Sequence, residues 1–546
     1  MPIEQGIEQI TRSKTGCKNY SDSGDRQEDM QGCTSNEGVF FTQARQLFEE
    51  MVEWLSSDSV CGLEHGELEN KLFVNGNELL RRLLQGYLDR RSDDEIEGDC
   101  SGSDGAKRTH KRKQSRKLTT IFGTVTVRRI GYGGRKITSL NPLDAELNLP
   151  IEQYSHGVRQ RVASEVALNG FNSTVEIIKK TTAAQVPKRQ VEELARKSAA
   201  DFDQFYEYQQ AQSKQLEQTG KILVISADGK GVVMRKEDLR PNTQKRALAS
   251  QKKLEKRLTK GEKRNSKRRA TVAAVYTIKP FIRTPQQILN SKESDNPKRP
   301  RPEGKRVWGS LTKEPQTVIK EAFDEALHRE ENQQKNWVAL VDGNKTQLRL
   351  LKQLAQKHNI KLTIVLDIIH VIEYLWKAAF VFHSPTSKQA EHWVSERLLH
   401  ILEGKSSLVA AGIRRSATLR QLKPEQRSAV DKCANYLLNH RAYLHYDDYL
   451  AAGFPIATGV IEGACRYLIK DRMDITGARW GLEGAEAVLR LRSLHVSGDW
   501  NDYWRFHQQQ ELQRHYSTLY QCGIPLLKGV TQARCSTTPL STALVV

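Results

Sequence analysis

The sequence lacks the signatures of several large protein classes. Its eight cysteines, Cys17, Cys33, Cys61, Cys100, Cys433, Cys465, Cys522 and Cys535, never form a CxxC pair. That spacing signals neither a zinc ribbon nor a disulfide framework, so they read as reduced thiols of a cytoplasmic protein. No apolar run is long enough to span a bilayer, and the first residues carry no signal-peptide core, so no membrane partner is expected. GxGxxG and P-loop patterns are absent, and no Ser/His/Asp or Cys/His set stands out. A phosphate-cradling glycine loop and a protein nucleophile are thereby set aside. There is no internal repeat.

Charge is abundant. The 546 residues hold 85 Lys and Arg against 65 Asp and Glu, a net of +20. Residues 1–100 hold 21 acidic and 10 basic side chains, a net of −11, so the remainder carries about +31. A basic body of that size fits an acidic polymer, by default nucleic acid. The length predicts about three domains.

Residues 1–38 are polar and poor in aliphatics, as in a disordered tail. Residues 39–116 read as a helical region followed by a linker. Phe48, Met51, Trp54 and Leu55, then Leu79, Leu80, Leu83, Leu84 and Leu88, recur at helical spacing. The linker, 92–116, runs from acidic (Asp93, Asp94, Glu95) to basic (Lys107, Arg108, Arg112, Lys113). Residues 117–215 read as a small β unit around Thr124–Val127, then three short helices: Val158–Leu168, Thr174–Thr181 and Lys188–Ala200. Asn172 or Ser173 is the expected cap of the second, and Pro187 opens the third. Three such helices fit a helix-turn-helix with Lys188, Arg189 and Arg196 on the recognition helix, or equally an ordinary helical bundle.

An α/β texture fills 216–370 and returns at 456–510. Its expected strands are Ile222–Ile225, Thr271–Ile278, Trp337–Val341 and Leu362–Leu366, with helices near 315–331 and 347–358. Residues 290–306 are Pro-rich and read as a loop. Residues 371–455 read as a helical insertion and 511–546 as a C-terminal tail. Residues 235–270 hold 15 Lys and Arg against 4 Asp and Glu, a net of +11. Its Lys252, Lys253, Lys256, Arg257, Lys263, Arg264, Lys267, Arg268 and Arg269 are candidate phosphate contacts. A solvated charged face is the bland alternative.

Three apolar strand runs each end in an aspartate: Asp228, Asp342 and Asp367. A carboxylate at a strand end stands on a backbone fixed by pairing, a rigid mount for a metal ligand. Alone, each reads more readily as a turn or helix cap. Together in one basic α/β region they carry more weight. The fourth acid is Glu462, in the first turns of a helix that Thr458 is placed to cap. Arg466, four residues on, shares its face and would stand near a phosphate, although a surface Glu–Arg pair has the same spacing. Two divalent metals about 4 Å apart can activate the attacking oxygen and stabilise the leaving one in phosphodiester chemistry. Magnesium, or manganese, takes such oxygen ligands.

The stretches SADGKGV (226–232), ALVDGN (339–344), VLDIIHVIEYLW (365–376) and GVIEGACRYLIKDRMDITGARW (459–480) resemble the Kra-type insertion-sequence transposases. These are bacterial relatives of the Mutator-like DDE transposases. NPLDAELNLP (141–150) and AEAVLRLRSLHVSGDW (485–500) add to the resemblance, which runs from about 118 to 510. It implies a ribonuclease H-like α/β catalytic core with a helical insertion, preceded by mostly helical N-terminal domains including a helix-turn-helix. It also implies catalytic, metal-holding Asp228, Asp342 and Glu462, with two Mg2+ or Mn2+ ions. Asp367 and His370 match the family's (C/D)xxH motif, and Asp367 is the alternative second aspartate. The implied activity is binding of terminal inverted repeats, DNA cleavage and strand transfer by a homo-oligomer on double-stranded DNA. The alternatives are another metal nuclease on the same fold, or a non-catalytic DNA-binding descendant. One departure stands out: Ile130–Lys136 holds no cysteine where family members often carry a pair, so no structural zinc is expected.

Overall fold

The computed structural model describes residues 36–212, 220–249, 265–290, 298–330, 334–475 and 477–528. The polar stretch before residue 36 and the candidate DNA contacts Lys252, Lys253, Lys256, Arg257, Lys263 and Arg264 lie outside the described residues. Among the described residues, no helix is long and apolar enough to cross a membrane.

The chain opens with a helical hairpin, α1 (Thr42–Leu55) and α2 (His65–Arg90). Three antiparallel strands follow: β1 (His110–Thr120), β2 (Gly123–Gly134) and β3 (Ile137–Leu140). The stretch read as a linker to residue 116 thus ends inside β1, while helices still outweigh strands in the N-terminal part. Lys111 and Lys113 are ordinary exposed strand positions, alternating with residues that face the sheet's other side. Helices α3 (His156–Leu168), α4 (Phe171–Thr181), α5 (Lys188–Ser198) and α6 (Phe202–Ala211) come next. Gly170, not Asn172 or Ser173, takes the N-cap position of α4.

The central sheet has five strands: β4 (Ile222–Val233), β5 (Lys267–Ile278), β6 (Glu303–Ser310), β7 (Asn336–Val341) and β8 (Leu362–Leu366). Their order is β6-β5-β4-β7-β8. β4, β5 and β6 pair antiparallel, while β4, β7 and β8 run parallel. Two crossover helices make the parallel half possible, α7 (Pro315–His328) between β6 and β7 and α8 (Lys345–Lys357) between β7 and β8. The central strand β4 is buried without a break from Ile222 to Ala227, as a strand covered on both faces must be. β6 begins inside the Pro-rich stretch read as a loop. Its alternation is masked because Val307, Trp308 and Gly309 are all buried.

After β8 come α9 (Ile368–Phe382), α10 (Lys388–Leu402), α11 (Ser406–Leu419) and α12 (Pro424–Asn439), the expected all-helical stretch. Then α13 (Gly459–Ala464) continues through a π-helical turn, Cys465–Lys470. α14 (Leu482–Ser497) ends at Gly498 in the left-handed conformation, φ 82°, and α15 (Trp500–His515) follows. The stretch read as a tail from 511 begins inside α15. It then returns to the first sheet, where Tyr516, Tyr520 and Leu527 share a core with Ile130, Tyr132 and Leu140.

One ion cluster ties the sheet's edge to its covering helix. Glu325 of α7 is buried and paired with Arg306 of β6 and with Arg329, whose Nη2 lies 2.7 Å away. The Arg306 guanidinium also lies over the Tyr206 and Trp308 rings. Burial alone would raise the Glu325 pKa, but the two arginines outweigh it and hold it at about 2, against an ordinary 4.5. A depressed carboxylate adds stability above its unfolded pKa and loses it as pH falls toward the folded one. The ionised carboxylate therefore adds to stability at neutral pH, and that contribution is lost between about pH 4.5 and 2. Thermal melts of Glu325→Gln should show a lower melting temperature at pH 7 and a flatter decline through that acid window than the parent.

Candidate functional site

Strand register sets the site. Ser226 of β4 pairs with Leu340 of β7, and Val341 of β7 pairs with Leu366 of β8. Two residues beyond the first pair stand Asp228 and Asp342, and one residue beyond the second stand Asp342 and Asp367. The three aspartates therefore stand at one level across three adjacent parallel strands, whose spacing is about 4.8 Å. The sequence located them individually. Their common level follows from the register.

Their surroundings differ. Asp228 is half-buried. Its Oδ1 accepts from the Gly229 amide at 2.5 Å and lies 3.4 Å from the Arg269 guanidinium. Its Oδ2 accepts from the Cys465 thiol at 3.5 Å. Gly229 and Gly231 lie under the Arg269 and Lys267 side chains, and a Cβ at Gly229 would fall 1.9 Å from Arg269 Nε. The glycines of SADGKGV thus allow a basic strand to lie close over the acidic one. Asp342 is half-buried, and among the described residues its carboxylate accepts the Asn344 amide at 2.9 Å. Asp228, Asp342 and Arg269 line one cavity of about 290 Å³.

Asp367 is fully buried. Its Oδ1 accepts the amides of Ile369 at 3.3 Å and Thr458 at 3.0 Å, and its Oδ2 lies 2.7 Å from His370 Nδ1. It is both the N-cap of α9 and the anchor of the segment leading into α13. Burial pushes its carboxyl up, but His370 and Thr458 outweigh that and hold it below the usual range. Donating its Nδ1–H to Asp367 in turn raises the His370 pKa to about 8.

Glu462 is exposed, and its pKa is raised, first by partial burial and then by the negative charges of Asp367 and Asp228. The Thr458 hydroxyl donates to it at 3.4 Å and makes no backbone cap, so Thr458 is a tether for Glu462 rather than the expected capping side chain. Asp367, His370 and Glu462 each offer one ligand atom, all within 4.8 Å of one another, a group able to hold a metal ion. Asp228 and Asp342 fall in no such three-residue group among the described residues. Arg466 does not face the acids. It is exposed and points to Asp471 at 3.7 Å. The helix passes into its π turn at Cys465, which breaks the four-residue repeat on which the shared face depended.

The remaining basic candidates divide. Lys188, Arg189 and Arg196 are exposed on α5, with Arg196 3.2 Å from Glu483. Lys267 is exposed near Asp474. Arg268 is spent inside the fold, donating to the carbonyls of Leu311 at 2.8 Å and Asp238 at 3.1 Å.

Several supporting residues escaped the sequence reading. The Gln347 amide donates to Ala227 O at 3.0 Å, bracing β4 beside Asp228. Tyr436 donates to Asp342 O at 3.1 Å, and Tyr446 to Leu366 O at 2.8 Å. The segment after β8 thus grips the backbone at two of the strand ends. Buried Arg492 of α14 donates to the carbonyls of Leu468 (2.9 Å), Tyr467 and Ala167, fixing the π turn against α3. No local pattern marks these residues, since their partners lie far along the chain.

No family model matches the chain, and no curated protein matches it. Among solved structures it is similar to a Drosophila P element transposase strand transfer complex, at 10% identity over 66% of this chain and 81% of that one. The TM-score is 0.23, too low to argue fold or function from.

If Asp367 sets the charge of its neighbour, Asp367→Asn should lower the His370 pKa from about 8 toward its ordinary 6.5. Histidine NMR titration reads this directly, and an unmoved value would refute the coupling.

Proposed function

We propose that this chain is a DDE-type DNA transposase of the Kra kind, built on a ribonuclease H-like core. The observation that carries the reading is the row of strand-end aspartates faced by Glu462. Strand order and direction support it too: three antiparallel strands continue into two parallel ones, with the acids at the end of the parallel half.

In this reading Asp228, Asp342 and Glu462 hold Mg2+ or Mn2+, two ions in all. The donor set fits: carboxylate oxygens are the ligands such ions prefer. Asp228 and Asp342 share one cavity, and Glu462 already feels the charge of Asp228. Asp342 is assigned as the second aspartate because it keeps an oxygen open to that cavity. Asp367 has both oxygens occupied and no exposure, so it positions His370 and the Glu462 helix. The bound ions supply activation of the attacking oxygen and stabilisation of the leaving one. His370, with a pKa of about 8, carries a proton at neutral pH, and its Nε2–H is offered to a phosphate oxygen. Arg269 lies beside Asp228 and would meet the same backbone. Helices α3 to α5 act as a helix-turn-helix, with Lys188, Arg189 and Arg196 on the element's terminal repeats. Water cuts the strand, and the freed 3′-hydroxyl attacks target DNA. The protein works as a homo-oligomer in the cytoplasm, on double-stranded DNA.

Cleavage and joining of element-end DNA with Mg2+ tests this. Asp228→Ala, Asp342→Ala and Glu462→Ala should each lower cutting by roughly a thousandfold or more while duplex binding persists. Three variants that still cut would remove the active site. Cutting without joining would favour a nuclease on the same fold.

A further inference from the structure

Of the three strand-end aspartates, Asp342 has the least support from its own strand. β4 runs past Asp228 to Val233, and buried Asp367 is held by its own hydrogen bonds. β7 ends at Val341, one residue short of Asp342. Next comes Gly343, whose φ of 91° lies in the left-handed region. Glycine has the widest backbone freedom of any residue, so a carboxylate beside it drifts unless something outside restrains the chain.

Two rings at the end of α12 supply that restraint. The Tyr436 hydroxyl donates to Asp342 O at 3.1 Å, and His440 Nε2 lies 3.1 Å from Gly343 O. Tyr436 and His440 are four residues apart on one helix face, so two consecutive carbonyls are gripped from a single turn. His440 is the C-cap residue of α12 and is 8% exposed. Its Nδ1 lies 2.8 Å from Tyr436 O. Carbonyl oxygens only accept, so the ring is the donor to Gly343. A Cβ at Gly343 would fall 2.9 Å from His440 Nε2, so the glycine also lets the ring come this close.

The clamp is itself braced. Tyr374 of α9 stacks on Tyr436 with ring centroids 4.1 Å apart, and the Tyr436 and His440 rings lie 4.6 Å apart. Tyr374 stands one turn beyond His370 on the helix that Asp367 caps. A row of three rings therefore connects the Asp367 strand end with the Asp342 turn. We infer that His440, with Tyr436, is a positioning residue: its Nε2–H holds the Gly343 carbonyl and so aims the Asp342 carboxylate into the cavity shared with Asp228. This rests on the reading of Asp342 as a metal ligand.

Two substitutions separate this role from that of a residue which only ends α12. A glutamine amide reaches about as far as Nε2 and can still meet Gly343 O, whereas an asparagine amide stands near Nδ1 and can meet only Tyr436 O. Mn2+ titration of the full chain without DNA, followed by electron paramagnetic resonance, reads the site directly. Asp342→Ala should weaken binding. His440→Asn should weaken it roughly tenfold, as loss of an outer-shell partner does, and His440→Gln should bind as the parent does. An Asp342-dependent affinity that His440→Asn leaves unchanged overturns the clamp alone, as does His440→Gln binding no better than His440→Asn. An affinity indifferent to Asp342→Ala overturns the ligand reading, and the clamp falls with it. Should His440→Asn fail to fold, Tyr436→Phe decides, since it removes one hydroxyl and keeps the ring. Weaker Mn2+ binding then supports the clamp, and the parent's affinity overturns it.

Discussion

The buried carboxylate of Asp367 is the contact on which the rest of the site depends. One side chain closes three connections: it caps α9, holds the His370 ring, and accepts the Thr458 amide that leads into α13. Buried charge is costly unless its lone pairs are satisfied, and here the donors converge from two distant parts of the chain. The strand end and the Glu462 helix are separated by the whole helical stretch 371–455 in sequence. The cost of leaving Asp367 unpaired adds to the shared core and the Ile368–Ile456 backbone bond in keeping them together in space.

A second layer of contacts keeps the strand ends rigid. Gln347 reaches back to β4, Tyr436 to the Asp342 carbonyl, and Tyr446 to the end of β8. Arg492 clamps the π turn beyond Glu462 onto α3. The inserted helices are thus more than a spacer, since they hold carbonyls that a parallel sheet leaves free at its carboxyl edge. Acids on mobile loops would drift apart by mutual repulsion. On this frame they are held close enough that the charges of Asp367 and Asp228 raise the Glu462 pKa.

Much of the core was legible. β8 matches its apolar run residue for residue, and α3, α5 and α8 begin or end within two residues of their signals. These elements have strong local causes: a buried run with β-branched residues, a proline before a first turn, an asparagine cap. The elements that were missed lack such causes. β6 is buried on both faces and opens among prolines. β1 is strongly charged and looks like a linker, since its exposed lysines and arginines hide a strand paired along its whole length with β2. The last segment was read as a tail because Tyr516, Tyr520 and Leu527 are too sparse to form a pattern. They are buried only because the first sheet offers them a face.

The sequence by itself determined which residues could carry the chemistry. Three apolar runs ending in aspartate, and one helix bearing Glu462, follow from side-chain patterns that act over a few residues. Tertiary structure decided how those acids differ. Asp342 opens into the cavity with Asp228, whereas Asp367 is sealed and spent on hydrogen bonds. Arg269 lies over the acids while its neighbour Arg268 turns into the fold, and Arg466 turns away. Neighbours in sequence share composition, but exposure, partners and pKa depend on what packs against each side chain, and many of those groups come from segments tens of residues away or more.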